Sequence, residues 1–286
     1  AQPYASSKFL EILPPYLMSN LTPHCHKAGF DKKELVLTGQ KTEHHYCGVN
    51  CGIMDQFASV FGKAGNLIRL DCSTMEYEYI PFDPQGYKLV LIDSVTKHEL
   101  VDSPYNKRRQ SCERAAAAIA GNHPEVKLLG DATLEMLEEV KDKISEEDYM
   151  RATYAIQENS RLADTCEALK RGDYETVGKN IYATHHGMSK LYEVSTEELD
   201  FLNDVAKECG VTGSRIMGGG FGGCTINLVK DAYYDRFIET AISRFKTKFG
   251  KEPKVYPVTI SVWRLEPCQD IIGRMMPVIL EAFGKR

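Results

Sequence analysis

The sequence predicts an α+β fold in which helices cover one face of an antiparallel sheet. Three observations lead to that class. Short apolar runs at Leu67–Leu70, Tyr77–Pro81 and Lys88–Asp93 read as strands separated by Gly and Pro turns. From Ser103 to about Tyr192 the pattern is mostly helical. Beyond it the chain runs helix, strand, strand, helix, strand, with a glycine-rich connection between the two adjacent strands.

Each element has a local reason. Pro14-Pro15 and Pro23 break any helix begun at Phe9–Leu13, so residues 1–30 read as irregular. Asp31-Lys32-Lys33-Glu34 has N-cap and third-position acid spacing and opens a helix through about Tyr46. Ala58–Phe61 is apolar and precedes the first strand. The helical stretch divides into Tyr105–Ala120, Leu134–Lys143, Glu146–Arg171 and Tyr174–Leu191, with Gly172-Asp173 as a break. Ser195-Thr196-Glu197-Glu198 reads as a capping box for a helix ending at Gly210. Strands Ser214–Met217 and Thr225–Val229, helix Ala232–Phe249 ending at Gly250, and strand Val255–Val262 follow. The tail 263–286 reads as an amphipathic surface helix or a loosely packed terminus, with Gly273 and Pro277 against the helix.

Composition excludes several classes. With 286 residues, 43% of them hydrophobic, the chain can bury one large core or two modest ones. A net charge of −5 argues against a general nucleic-acid binder. No run approaches the ~18 apolar residues that would span a bilayer, so no membrane partner is expected. Nine scattered cysteines read as reduced thiols, which predicts a cytoplasmic protein.

Two segments carry chemistry. Cys51-Gly52-Ile53-Met54-Asp55-Gln56-Phe57 sets one Asp among apolar neighbours. Such a carboxylate is partly desolvated and suited to handling a proton, or it caps the Gln56–Phe61 stretch. Glu43, twelve residues earlier, offers a second acid; together they suit a Mg²⁺ ligand and a proton acceptor. Gly218-Gly219-Gly220-Phe221-Gly222-Gly223-Cys224 lets backbone N–H groups crowd an anion, or is a turn joining two strands. Its G-x-G-x-x-G match is not a dinucleotide fingerprint, because Thr225–Val229 reads as a strand where a helix is required.

Other clusters have quieter readings. His44-His45, Cys47 and Cys51 lack the spacing of two zinc-ligand pairs. His185-His186 reads as helix packing rather than a dyad. Lys107-Arg108-Arg109 could attract phosphate, but on a helix such a run is usually a solvated face. Tyr105, beginning a helix, is a packing aromatic or a ligand contact.

These motifs resemble galactokinase, of the GHMP small-molecule kinases. The likeness rests on Glu43-His44, Cys51–Phe57, Lys97-His98, Tyr105–Arg109, Cys112-Glu113, His185–Ser189 and Met217–Cys224, and it runs from about Asp31 to Ile260. It implies the C-terminal part of an S5-like domain (1–101), a ferredoxin-like α+β kinase C-terminal domain (102–262) and an atypical tail. It also implies ATP-dependent phosphorylation of galactose at O1 with Mg²⁺. Asp55 would accept the C1 hydroxyl proton or hold it electrostatically, Gly52 and Tyr105 would contact the sugar, and Glu43 would ligate Mg²⁺. Gly218, Gly219, Gly220, Gly222 and Gly223 would support the phosphates. A related kinase of N-acetylgalactosamine, and an inactive sugar-sensing relative, share the pattern.

The resemblance weakens toward the ends. The family's R-V-N-L-I-G-E-H-T-D-Y segment, with its phosphoryl-stabilising Arg, is not in the 286 residues. Ala5-Ser6-Ser7-Lys8-Phe9-Leu10-Glu11 keeps the Ser-Ser and Leu-Glu spacing of the phosphate loop, which would give Ser6 and Ser7 to the nucleotide and Ser7 to Mg²⁺. Pro3 stands for its leading Gly, and Lys8 and Phe9 for its small alanines. An arginine at such a site is worth on the order of 10³ or more in rate. The expectation is therefore a chain lacking most of its N-terminal half, inactive unless those parts come from elsewhere, and a monomer when intact.

Overall fold

The computed structural model describes residues 31–47, 51–96 and 105–260, with the side chains of Tyr46, Cys47, Tyr105 and Asn106 outside that set. Of the described residues, those up to Tyr79, with Ile260, form one unit, and Ile80–Thr259 form the other. The expectations for residues 1–30, for Lys97-His98 and for the tail fall outside the described residues.

The first unit is built on helix α1 (Lys32–Thr42), which continues as a wider, π-type turn over Glu43–Cys47. Asp31 stands at its N-cap without a side-chain bond to the first turn, so the expected capping box does not form. Helix α2 (Met54–Phe61) follows, with Ile53 as its N-cap. Phe57 and Phe61 recur at helical spacing and stack with ring centroids 4.2 Å apart. With Ile53 and Val60 they pack against Val36 of α1, leaving Met54 and Asp55 of the first turn exposed. Strands β1 (Asn66–Leu70) and β2 (Tyr77–Pro81) pair beside them, and the Tyr79 hydroxyl donates to the Phe61 carbonyl at 2.6 Å.

The second unit is α+β. Strand β3 (Tyr87–Asp93) lies inside a four-stranded antiparallel sheet with β4 (Gly213–Ile216), β5 (Cys224–Lys230) and β6 (Lys254–Val258), in the order β4-β5-β3-β6. Its partners are distant in sequence: Val90 faces Asn227 on one side and Pro257 on the other. Helices α3 (Tyr105–Ala120), α4 (Leu134–Glu138), α5 (Glu146–Lys170) and α6 (Tyr174–Lys190) precede α7 (Glu197–Glu208), and α8 (Tyr234–Phe249) lies between β5 and β6. One core joins Val90, Ile92 and Val229 of the sheet to Leu202 and Val205 of α7 and Phe237, Ala241 and Phe245 of α8. A second holds α3 against α5 through Ala115, Ile119, Ala152 and Ile156.

Element ends follow capping chemistry. Thr133, Ser145, Asp173 and Thr196 each accept a backbone N–H three residues on, and Gly250 ends α8 in the left-handed region. The cap of α7 is thus Thr196; the Ser195 hydroxyl instead donates to Asp200 at 2.5 Å. The helix expected over Leu134–Lys143 is two pieces, α4 and a 3₁₀ turn at Lys141–Lys143, with Val140 between them buried in the α3–α5 core.

Candidate active site

The sequence-predicted residues fall on both units, and each part has its own construction. In the first unit the π-type turn places Glu43 beside Gln56, whose Nε2 donates to the Glu43 carboxylate at 2.6 Å. Gln56 is almost fully buried, so this bond fixes the carboxylate from inside the protein. The Cys51 backbone is held from α1: its carbonyl accepts from His44 Nε2 at 2.9 Å and Gln40 Nε2 at 3.2 Å. His45 Nδ1 donates to the Lys41 carbonyl, so both rings of the His44-His45 pair are engaged with backbone. Gly52 follows on the surface, with open space where a Cβ would stand.

Asp55 is the second residue of α2, not its cap, so the capping reading gives way to an acid displayed on the first turn. Its side chain is open to solvent, yet surrounding protein strips part of its hydration and Glu43 adds a like charge; both push its carboxyl above the usual range. The helix N-terminus pulls the other way by favouring the anion. The result is a carboxylate readier than an ordinary one to take a proton. Burial and the Glu43 carboxylate push the Cys51 thiol up to about 12.

In the second unit the glycine run is the connection of the β4–β5 hairpin, closed by the Met217 N–H donating to the Cys224 carbonyl at 2.9 Å. Strand β5 follows it directly, as the sequence reading requires. Positive φ angles at Gly218, Gly220, Phe221, Gly222 and Gly223 coil the loop through a region L-residues avoid. At Gly218 and Gly223 a Cβ would enter open space, the room an approaching anion needs. At Gly220 it would overlap the Val194 carbonyl, which accepts the Phe221 N–H at 2.6 Å. The Gly223 carbonyl accepts both the N–H and hydroxyl of Ser94, at 2.9 and 2.8 Å.

Tyr105 is the first residue of α3, and its side chain is outside the described set, as are Ser6 and Ser7. Arg108 corrects the expectation of a solvated Lys107-Arg108-Arg109 face: Lys107 and Arg109 are exposed, but Arg108 is buried against the segment after α6. His185 is also buried and packs as expected, with Nε2 donating to Asp200 at 3.1 Å. Partial burial would raise Asp200, but bonds from His185, Ser195 and Ser189 hold it well below the ordinary carboxylate range. Sequence reasoning missed the part played by Gln56 and read Arg108 as solvated. The only signals were a polar residue on the apolar face of α2 and a basic residue on α3.

Among the described residues no three His, Cys, Asp or Glu side chains group as a metal cage. Glu43 suits the other mode of binding Mg²⁺, through one or two carboxylates completed by phosphate oxygens and water. Among the described residues no helix is long and apolar enough to cross a membrane.

Known proteins resemble the chain in both parts. Family models described as GHMP kinases N terminal domain and GHMP kinases C terminal match residues 18–63 and 166–247. A galactokinase of Thermotoga maritima is 39% identical over 249 residues, 86% of this chain and 67% of the relative. One of Fusobacterium nucleatum subsp. nucleatum is 39% identical over 90% of this chain and 65% of its own length. The chain thus spans about two thirds of the length of these curated relatives. Among solved structures, Lactococcus lactis galactokinase complexed with galactose superposes with a TM-score of 0.76 at 34% identity, over 81% of this chain and 60% of that one. L. major mevalonate kinase in complex with R-mevalonate, 17% identical with a TM-score of 0.51 over 84% of this chain and 61% of that one, shares the fold.

Proposed function

The chain belongs to the galactokinase family of GHMP kinases, and on that premise we propose that it serves ATP-dependent phosphorylation of galactose at O1. The observation that carries this reading is the unequal acid pair: Glu43 tied down by buried Gln56, and Asp55 exposed beside it with a raised affinity for protons. In this reading Asp55 takes the proton as the O1–H bond breaks, O1 attacks the γ-phosphorus and ADP leaves. Gly52, open three residues before Asp55, would contact the sugar; the family resemblance gives Tyr105 a sugar contact as well. Glu43 would hold Mg²⁺, which when bound neutralises phosphate charge. Ser6 and Ser7 would meet the nucleotide, Ser7 also the metal. The Gly218–Gly223 loop would support the phosphates with backbone, with open space beside Gly218 and Gly223. Such a reaction runs through a loose transition state, so positioning and charge carry the rate. The reading places the chain in the cytosol, where ATP is supplied.

The test is galactose-dependent ADP release, measured beside galactose affinity by calorimetry. With the family's R-V-N-L-I-G-E-H-T-D-Y segment supplied to the chain, turnover with an acid limb in kcat/KM, and loss of about 10²-fold or more in Asp55→Asn, is the expected result. The raised carboxyl puts that limb above the position an ordinary Asp would give. Galactose binding without turnover would replace this reading by sugar sensing, and neither binding nor turnover would remove both.

A further inference from the structure

Arg108 lies on α3, and its side chain is nine-tenths buried in a place the catalytic reading does not use. Its Nε donates to the Tyr192 carbonyl and its NH2 group to the Glu193 carbonyl, each at 2.7 Å. In extended backbone two successive carbonyls point to opposite sides. At Glu193 φ is +54°, and this left-handed turn brings both carbonyls to one guanidinium. The next carbonyl, that of Val194, receives the Phe221 N–H, and the Arg108 guanidinium lies 5.7 Å from the Phe221 ring centroid. Three consecutive carbonyls therefore join α3 to the glycine loop: two take the arginine and the third takes the loop.

Arg151 braces the same strap from α5. It is nearly fully buried, donates to Ser111 at 2.7 Å and reaches the Glu193 carboxylate at 3.3 Å. A strained residue persists only where its surroundings over-determine it, and here two buried guanidinium groups converge on Glu193.

We propose that Arg108 is a positioning residue for the glycine loop: by clamping the Tyr192 and Glu193 carbonyls it fixes the Val194 carbonyl, and through it the conformation of Gly220-Phe221. It acts on phosphate binding without touching phosphate, and in that respect the inference rests on the reading of the loop as a nucleotide support. A lysine cannot replace it, because an ammonium on a flexible stem lacks the planar fork that meets two carbonyls at once.

The test compares Arg108→Met, Arg108→Lys and the exposed control Arg109→Met by amide hydrogen exchange, with affinity for a non-hydrolysable ATP analogue by calorimetry. In Arg108→Met, exchange at Phe221 should quicken at least tenfold while Ile226–Val229 in β5 keep their protection, and the analogue should bind about tenfold more weakly. Arg108→Lys should restore neither, and Arg109→Met should match the starting chain. Unchanged exchange at Phe221, or an equal rise throughout the unit, overturns the proposal. If Arg108→Met does not fold, Arg108→Gln, which keeps two N–H donors, is read by the same comparison. A starting chain that binds no nucleotide overturns the loop's functional reading, and the Phe221 exchange still decides the positioning.

Discussion

The acid pair and the glycine loop are built on opposite principles. Around Asp55 the protein accepts a conflict: a second carboxylate nearby and lost hydration make the ionised form less comfortable than in water. Around Gly218–Gly223 it removes conflict, spending glycine on each awkward dihedral but Phe221 and giving Gly223 and Phe221 backbone partners. Chemistry placed on side chains can thus be altered without harm to the fold. Shape placed in the backbone cannot.

Four measurements bear on that contrast, in order of expected effect on stability. Gly220→Ala should cost the most, about 3 kcal/mol or more, because a Cβ at φ +85° overlaps the Val194 carbonyl; urea unfolding reads it. A loss under about 1 kcal/mol would show the loop to be softer than the contrast requires. Asp200→Asn should cost about 2 kcal/mol, since His185, Ser189 and Ser195 all donate to that carboxylate. Because Asp200 is depressed in the fold, its contribution is fully present above the ordinary carboxylate value and lost as pH falls toward the depressed one. The gap between Asp200→Asn and the starting chain should therefore close in acid.

Gly218→Ala should cost only about 1 kcal/mol, from backbone strain at φ +76° without overlap. If it matches Gly220→Ala, close packing is not what distinguishes the two glycines. Asp55→Asn should have the smallest effect and the opposite sign: Tm rises by about 1–2 °C near neutral pH. A raised carboxyl weakens the fold as pH climbs from the unfolded value through the folded one, so the gain should vanish below about pH 4. A fall in Tm at neutral pH would break the contrast at its other end.

Local pattern foretold most elements. Leu67–Leu70 and Lys88–Asp93 extend by one residue each in the structure, and Tyr105–Ala120 matches to the residue. Those runs declare themselves through spacing and flanking turns. What stayed hidden depends on distant partners. Nothing within Tyr87–Asp93 says that it will lie between β5 and β6, more than 130 residues away in sequence. The burial of Arg108 follows from carbonyls 84 and 85 residues on, and the bond from Gln56 to Glu43 from a π-type turn that no periodicity announces. Asp55 was visible as a candidate acid, whereas its raised proton affinity required knowing what crowds it.

The two motifs each carry a thiol, and the environments that shape them also silence it. Cys51 is pushed up to about 12 and Cys224, by burial and the charge of Asp93, to about 11. At neutral pH fewer than about one in 10³ of either sulfur is thiolate, the form that attacks electrophiles and peroxide. An alkylating reagent at pH 7 should therefore modify both slowly, and a mild oxidative burst should leave both thiols reduced.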